Sequence, residues 1–214
     1  MSNYEYIISS LPVLTADYKY AEGSGFTHLL EEIRRDLSEK DLEALDFLLD
    51  GFNPEKLDEA FYAAALSRKE TFLREYFRFD LNLRNAKVRY LNRELGREAD
   101  MDVLTGKGAE SEEGLDIDGY RFRAGDFEEA AKVQEVLQDR DLLVREKGLD
   151  NVVWEKIDGL TLFHYFDLTA VLGYVAKLHI VDRWLALDEE TGRQLFRKLV
   201  DEVRGTFKGV NYQE

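Results

Sequence analysis

Arg78, Asn82, Asn85 and Arg89 are spaced so that a helix, advancing about 100° per residue, brings all of them onto one narrow polar face. Guanidinium and carboxamide groups in a row hydrogen-bond to other polar groups, so such a face suits docking against a partner or lining a cavity. Within the same segment Asp80 and Arg84 stand four residues apart with the acid first, the order that favours an ion pair on a helix. They lie between two apolar flanks. One is Phe72, Tyr76, Phe79, Leu83, Ala86 and Tyr90; the other is Leu73, Phe77, Leu81, Val88, Leu91 and Leu95. If packing covers both flanks, the pair is partly buried and must be satisfied internally. Two readings stand side by side. The segment is either a core helix with one solvated face and an internal ion pair, or a helix whose polar face meets a partner.

No catalytic pattern competes with this helix. The histidines are His28, His164 and His179, and none has the Glu-x-x-His or His-x-x-x-His spacing of helical metal sites. Gly106-Lys107-Gly108 lacks the rest of a phosphate loop, and Asp116-Ile117-Asp118-Gly119 lacks the later ligands of a calcium loop. No Gly-x-Ser-x-Gly turn is present. With 44 Asp and Glu, chance carboxylate pairs are unavoidable and none can be singled out as a catalytic dyad. The expectation is a protein that is not an enzyme and needs no cofactor or metal.

Charge sharpens the contrast. The stretch Ser67 to Arg97 carries nine Lys or Arg against four acids, a net of +5 in a 214-residue chain whose net is −15. That overall charge, with a pI near 4.7, excludes a nucleic-acid binder, which needs a coherent basic face. It also disfavours an anionic membrane surface. No apolar run reaches the roughly 20 residues of a spanning helix, so direct membrane insertion is not expected. Cysteine is absent, which removes disulfide and thiol chemistry and fits a cytoplasmic setting.

The elements that position these residues read as helices. Tyr4 to Leu14 is expected to be an extended or irregular lead-in ending at Pro12. Helices follow over Thr27 to Leu37, after a Ser38 cap to Gly51, and from Asn53-Pro54 to Leu66. Ser67 is then expected to cap the long basic helix, which ends near Gly96. Residues 98–119 hold eight acids and one Lys and read as a linker. A short β-hairpin, or a plain turn, is expected over 115–122 around Asp118-Gly119. Helices resume over Phe127 to Asp139, then to a Gly148 cap, from Leu149 to Ile157, and from Phe166 to Leu187. A last amphipathic helix follows Asp188. The fold class is all-α, a multi-helical two-lobed bundle. Its N-terminal lobe is 1–97 with the basic helix, its acidic linker 98–119 and its C-terminal lobe 120–214.

The run Phe77-Arg-Phe-Asp80-Leu-Asn82-Leu-Arg84-Asn85-Ala-Lys87-Val-Arg89 resembles a helix of the C/d central-stalk subunits of V-type rotary ATPases. Leu172-Gly173-Tyr174-Val175-Ala176-Lys177 through Trp184 is similar to a second helix of that family. The chain is shorter than usual members, and Leu178 and Ile180 stand where acids flank Lys177 in the family pattern. The resemblance implies a non-catalytic subunit on the cytoplasmic face of the membrane, seated between the rotor ring and the central shaft and coupling them for ion transport. It implies that Arg78, Asn82, Asn85 and Arg89 line the socket or brace neighbouring lobes. The alternative from the residues alone is a free-standing helical adaptor or regulatory protein with an unrelated partner.

Overall fold

A computed structural model describes residues 3–15, 25–104 and 127–186. Among the described residues the secondary structure is helical, with no strand. The helices are α1 Tyr4–Ser10, α2 Phe26–Asp36, α3 Glu39–Asp50, α4 Glu59–Leu66, α5 Thr71–Glu94, α6 Ala130–Leu137, α7 Leu142–Thr161 and α8 Leu168–Ala186, with a 3₁₀ turn at Pro54–Lys56. The all-α class therefore holds. The hairpin expected over 115–122 and the helix after Asp188 lie outside the described residues.

Local chemistry accounts for several helix starts. Ser38 caps α3: its Oγ accepts from the Asp41 amide and donates to the Asp41 carboxylate at 2.7 Å. Asp58 caps α4 by accepting from the Phe61 amide at 2.8 Å. Three expectations are corrected. Residues 4–10 form a helix rather than an extended lead-in. Ile7 is buried, and the Tyr4 hydroxyl donates to Asp41 at 2.8 Å, so tertiary anchoring sets the conformation. Ser67 does not cap α5; its hydroxyl donates back to the Ala63 carbonyl and closes α4, while α5 starts at Thr71. Gly148 does not end a helix either. α7 runs through it, and a Cβ there would crowd the Val136 side chain of α6. Here glycine serves close helix approach rather than termination.

Two hydrophobic clusters form, and neither respects the 98–119 boundary. The larger takes Ile7, Leu45, Leu48, Phe72, Phe77 and Leu81 from before it and Trp154, Ile157, Leu172 and Val181 from after it. The smaller joins Phe79 and Leu83 of α5 to Val133, Leu137, Leu149 and Val152 of α6 and α7. α8 is the hub of the larger cluster and touches α1, α2, α3, α5 and α7. His179 of α8 stacks on Phe52 at 4.1 Å and meets the edge of Phe26 at 6.1 Å. Burial, aided by Arg183, holds its imidazole below the ordinary pKa against the opposing charge of Asp182, so the neutral ring is favoured.

Phe77 is wholly buried in an aromatic nest, edge-on to Phe61 at 5.0 Å and to Phe47 at 5.8 Å. A Cβ at Gly51 would overlap its ring. Gly51→Ala is therefore expected to cost about 1–3 kcal/mol by overpacking. A urea midpoint unchanged from the parent protein would show that the nest yields without penalty.

Candidate functional site

α5 is 24 residues long, and its interior-facing residues are committed to the two clusters on opposite flanks. What remains for chemistry is the polar row between them. Its members do different work. Arg78 pairs with Glu75 at 2.7 Å, one turn back along the same helix. Asn85 is buried, and its amide donates to the Leu104 carbonyl at 3.0 Å while its oxygen accepts from the Leu104 amide at 3.1 Å. Arg89 pairs with Asp100 at 2.9 Å. One heptad on from Asn85, buried Asn92 donates to the carbonyls of Ala99 and Met101. These residues lay the chain after α5 back along the helix, as a strap from Ala99 to Leu104. The expectation that Asn85 faces a cavity or partner is corrected: backbone groups of the strap, which must be satisfied when buried, occupy its amide.

The Asp80–Arg84 pair is also corrected. The two do not form a direct salt bridge. Asp80 accepts from the Tyr62 hydroxyl of α4 at 2.7 Å, and Arg84 donates to the Leu57 carbonyl at 3.1 Å. Both hold the segment around α4 onto α5. Burial pushes the Asp80 carboxyl above the usual carboxylate range; the Tyr62 hydrogen bond and the charges of Lys87 and Arg84 oppose this without cancelling it. Burial, reinforced by Asp80, likewise raises the Tyr62 phenol.

Asn82 and Arg89 do share a site. They line a groove of about 190 Å³ between α5 and α6, with Ala86 and Arg93 on the same helix and Phe127, Gln134 and Leu137 opposite. Phe127 is anchored against Phe79 at 5.9 Å, which ties the groove floor to the smaller cluster.

A second concavity, about 360 Å³, lies where the end of α1 meets the turn between α7 and α8. It is lined by Leu11, Val13, His164, Tyr165, Gly173 and Lys177, among others. Several of its polar side chains are engaged. His164 pairs with Asp167, Lys177 with Asp158, the Thr161 hydroxyl donates to the Ile157 carbonyl, and Tyr174 donates to the Pro12 carbonyl. Hydroxyls turned to backbone carbonyls are not presented to His164 as nucleophiles. Beside this concavity Leu162, Phe163, Tyr165 and Phe166 stand 56–82% exposed. Another exposed apolar set, Leu142, Leu143 and Val144, begins α7, and Leu91 and Leu95 are exposed near the end of α5. The guanidinium of Arg145 over the Tyr90 ring at 5.2 Å links the α7 start to α5. Among the described residues no group of His, Asp and Glu side chains is arranged to hold a metal ion, and no helix is long and apolar enough to cross a membrane.

Residues 53–206 match a family model described as "Protein of unknown function (DUF2764)". The chain belongs to this family. No curated protein and no solved structure matches it. The DUF2764 span takes in all of α5, the groove and both ends of α7, whereas α1 to α3 precede it.

Sequence reasoning missed several of these residues. Asn92 and Arg93 continue the Asn85 and Arg89 stripes by one further step, so extending the helical count would have found them. Asp150, buried and accepting from Trp184 Nε1 at 2.6 Å while pairing with Arg183, gives no local signal because its partners lie on α8.

Two outcomes follow. Asn85→Ala strands the buried Leu104 amide and carbonyl and is expected to cost about 1–3 kcal/mol; faster hydrogen exchange at Leu104 with α8 amides unchanged would locate the loss in the strap. Asp80→Asn isolates one titration. Because the folded pKa is raised, stability from the neutral carboxyl is fully present below the ordinary value of 3.8 and is lost as pH rises through the folded value. The parent should therefore lose stability relative to Asp80→Asn as pH climbs from below 3.8, in paired urea titrations. A difference that stays flat across that window would exclude it.

Proposed function

We propose that the protein is a non-catalytic central-stalk subunit, of the C/d kind, in a V-type ATPase or ATP synthase. In this reading it sits on the cytoplasmic face of the membrane and couples the rotor shaft to the rotor ring for ion transport. Its attachment is peripheral, through protein contacts. One observation carries the proposal: exposed apolar residues gather at both ends of α7, Leu142–Val144 at its start and Leu162–Phe166 beyond its end. The helix between them has 20 residues, which separates the two ends by about 30 Å. Apolar clusters of this kind mark contact surfaces. A coupling element needs two of them held apart by a stiff body, and the packing of α7 against α5, α6 and α8 supplies the stiffness. The residue patterns of α5 and α8 support the stalk assignment over other couplers.

The second reading, a helical adaptor with an unrelated partner, draws on the same surfaces. The engaged polar groups around His164 favour either over an enzyme. Affinity capture of the tagged protein from detergent-solubilised native membranes separates them. Rotor-ring and central-shaft subunits are expected to be retained, and Phe163→Ser with Phe166→Ser is expected to reduce their recovery at least about tenfold while leaving the thermal midpoint unchanged, since both rings are exposed. Capture of neither from membranes holding an intact ATPase would overturn the stalk assignment and leave the adaptor.

A further inference from the structure

We infer that the α5–α6 groove is a binding site for a carboxylate-bearing, amphipathic segment of a partner protein, with Arg93 as its anchor. The groove presents opposite chemistries in one place. Ala86, Phe127 and Leu137 give it an apolar floor, and Arg89 and Arg93 give it guanidinium groups on one rim. From Asn82 to Arg93 the α5 wall runs about 16 Å, the length of a three-turn helix or a short extended peptide. A ligand that fits must bring apolar side chains flanked by negative charge.

The protein itself indicates which anion. Arg89 already holds a carboxylate, that of Asp100, at 2.9 Å, and both side chains remain substantially exposed. Arg93 is the next basic residue on the same stripe, one turn further on, exposed, and it takes part in no ion pair among the described residues. Arg78 is committed to Glu75, so Arg93 rather than Arg78 is the cation open to an incoming group. Guanidinium groups suit carboxylates because their paired donors match both oxygens. Nucleic acid is the poorer occupant: a polyphosphate extends well beyond 16 Å and would meet the acidic remainder of a chain of net −15. A short carboxylate segment confines its charge to the basic stripe. The site does not depend on the ATPase assignment; it can stand if that assignment falls, and the reverse holds as well.

The test uses the isolated full chain and fluorescence anisotropy. The probe is a fluorescein-labelled synthetic helix with leucine at every third or fourth position and glutamate on both flanks. Its counterpart with lysine for every glutamate is the control. The glutamate probe is expected to bind and to weaken with added salt. Arg93→Glu is expected to weaken it at least about tenfold, with the circular dichroism spectrum and thermal midpoint unchanged because Arg93 is exposed. Arg93→Lys should retain part of the affinity. The site is overturned if the glutamate probe does not bind, if Arg93→Glu leaves its binding unchanged, or if the lysine probe binds as tightly. Displacement of the probe by millimolar inorganic phosphate alone would equally overturn it, since that shows an anion site indifferent to the apolar floor.

Discussion

The two-sided burial of α5 is the constraint around which the molecule is arranged. Phe77 and Leu81 on one flank and Phe79 and Leu83 on the other must leave water together, so helices from both chain halves are drawn against one rod. A helix buried on both flanks has little surface left. Its charged residues must then be satisfied at close range, because an uncompensated charge in that position would cost more than the packing returns. Asp80 meets a phenol, Arg84 a backbone carbonyl, Arg78 a neighbouring glutamate and Arg89 an aspartate of the strap. The excess of positive charge in α5 is thus mostly structural, and only its C-terminal stripe reaches the groove.

Much of the fold was legible because helices announce themselves through short-range rules. The α3 cap at Ser38 and the apolar periodicity of α2, α5 and α8 depend on residues within one or two turns. The failures share a different cause. α1 is fixed by contacts to α3, Gly148 is explained by Val136 across a helix interface, and Asn85 is turned inward by a backbone segment 19 residues away. Each depends on which elements meet in space, and a glycine or a polar residue reads the same locally whether it ends a helix or lets another approach. The polar residues of α5 could be picked out by their helical spacing. Its division into strap holders and groove liners follows from the path of residues 99–104, which no periodicity encodes.

α8 extends the same logic. It lies against five other helices, so its polar residues also turn to internal partners: Lys177 to Asp158 and over the Trp154 ring, Arg183 to Asp150, and His179 between aromatic rings. Among the described residues helix faces are therefore largely consumed by the body, and exposed apolar and basic side chains gather where helices end. The turn after α7, the start of α7 and the C-terminal stretch of α5 are where Phe163, Leu142 and Arg93 stand in solvent. An apolar contact at Phe163 and a charged one at Arg93 would reach the same core through α7 and α5, which meet in both hydrophobic clusters. The proposed coupling role would use that arrangement: two contact surfaces held at a fixed distance by helices that are packed along their length.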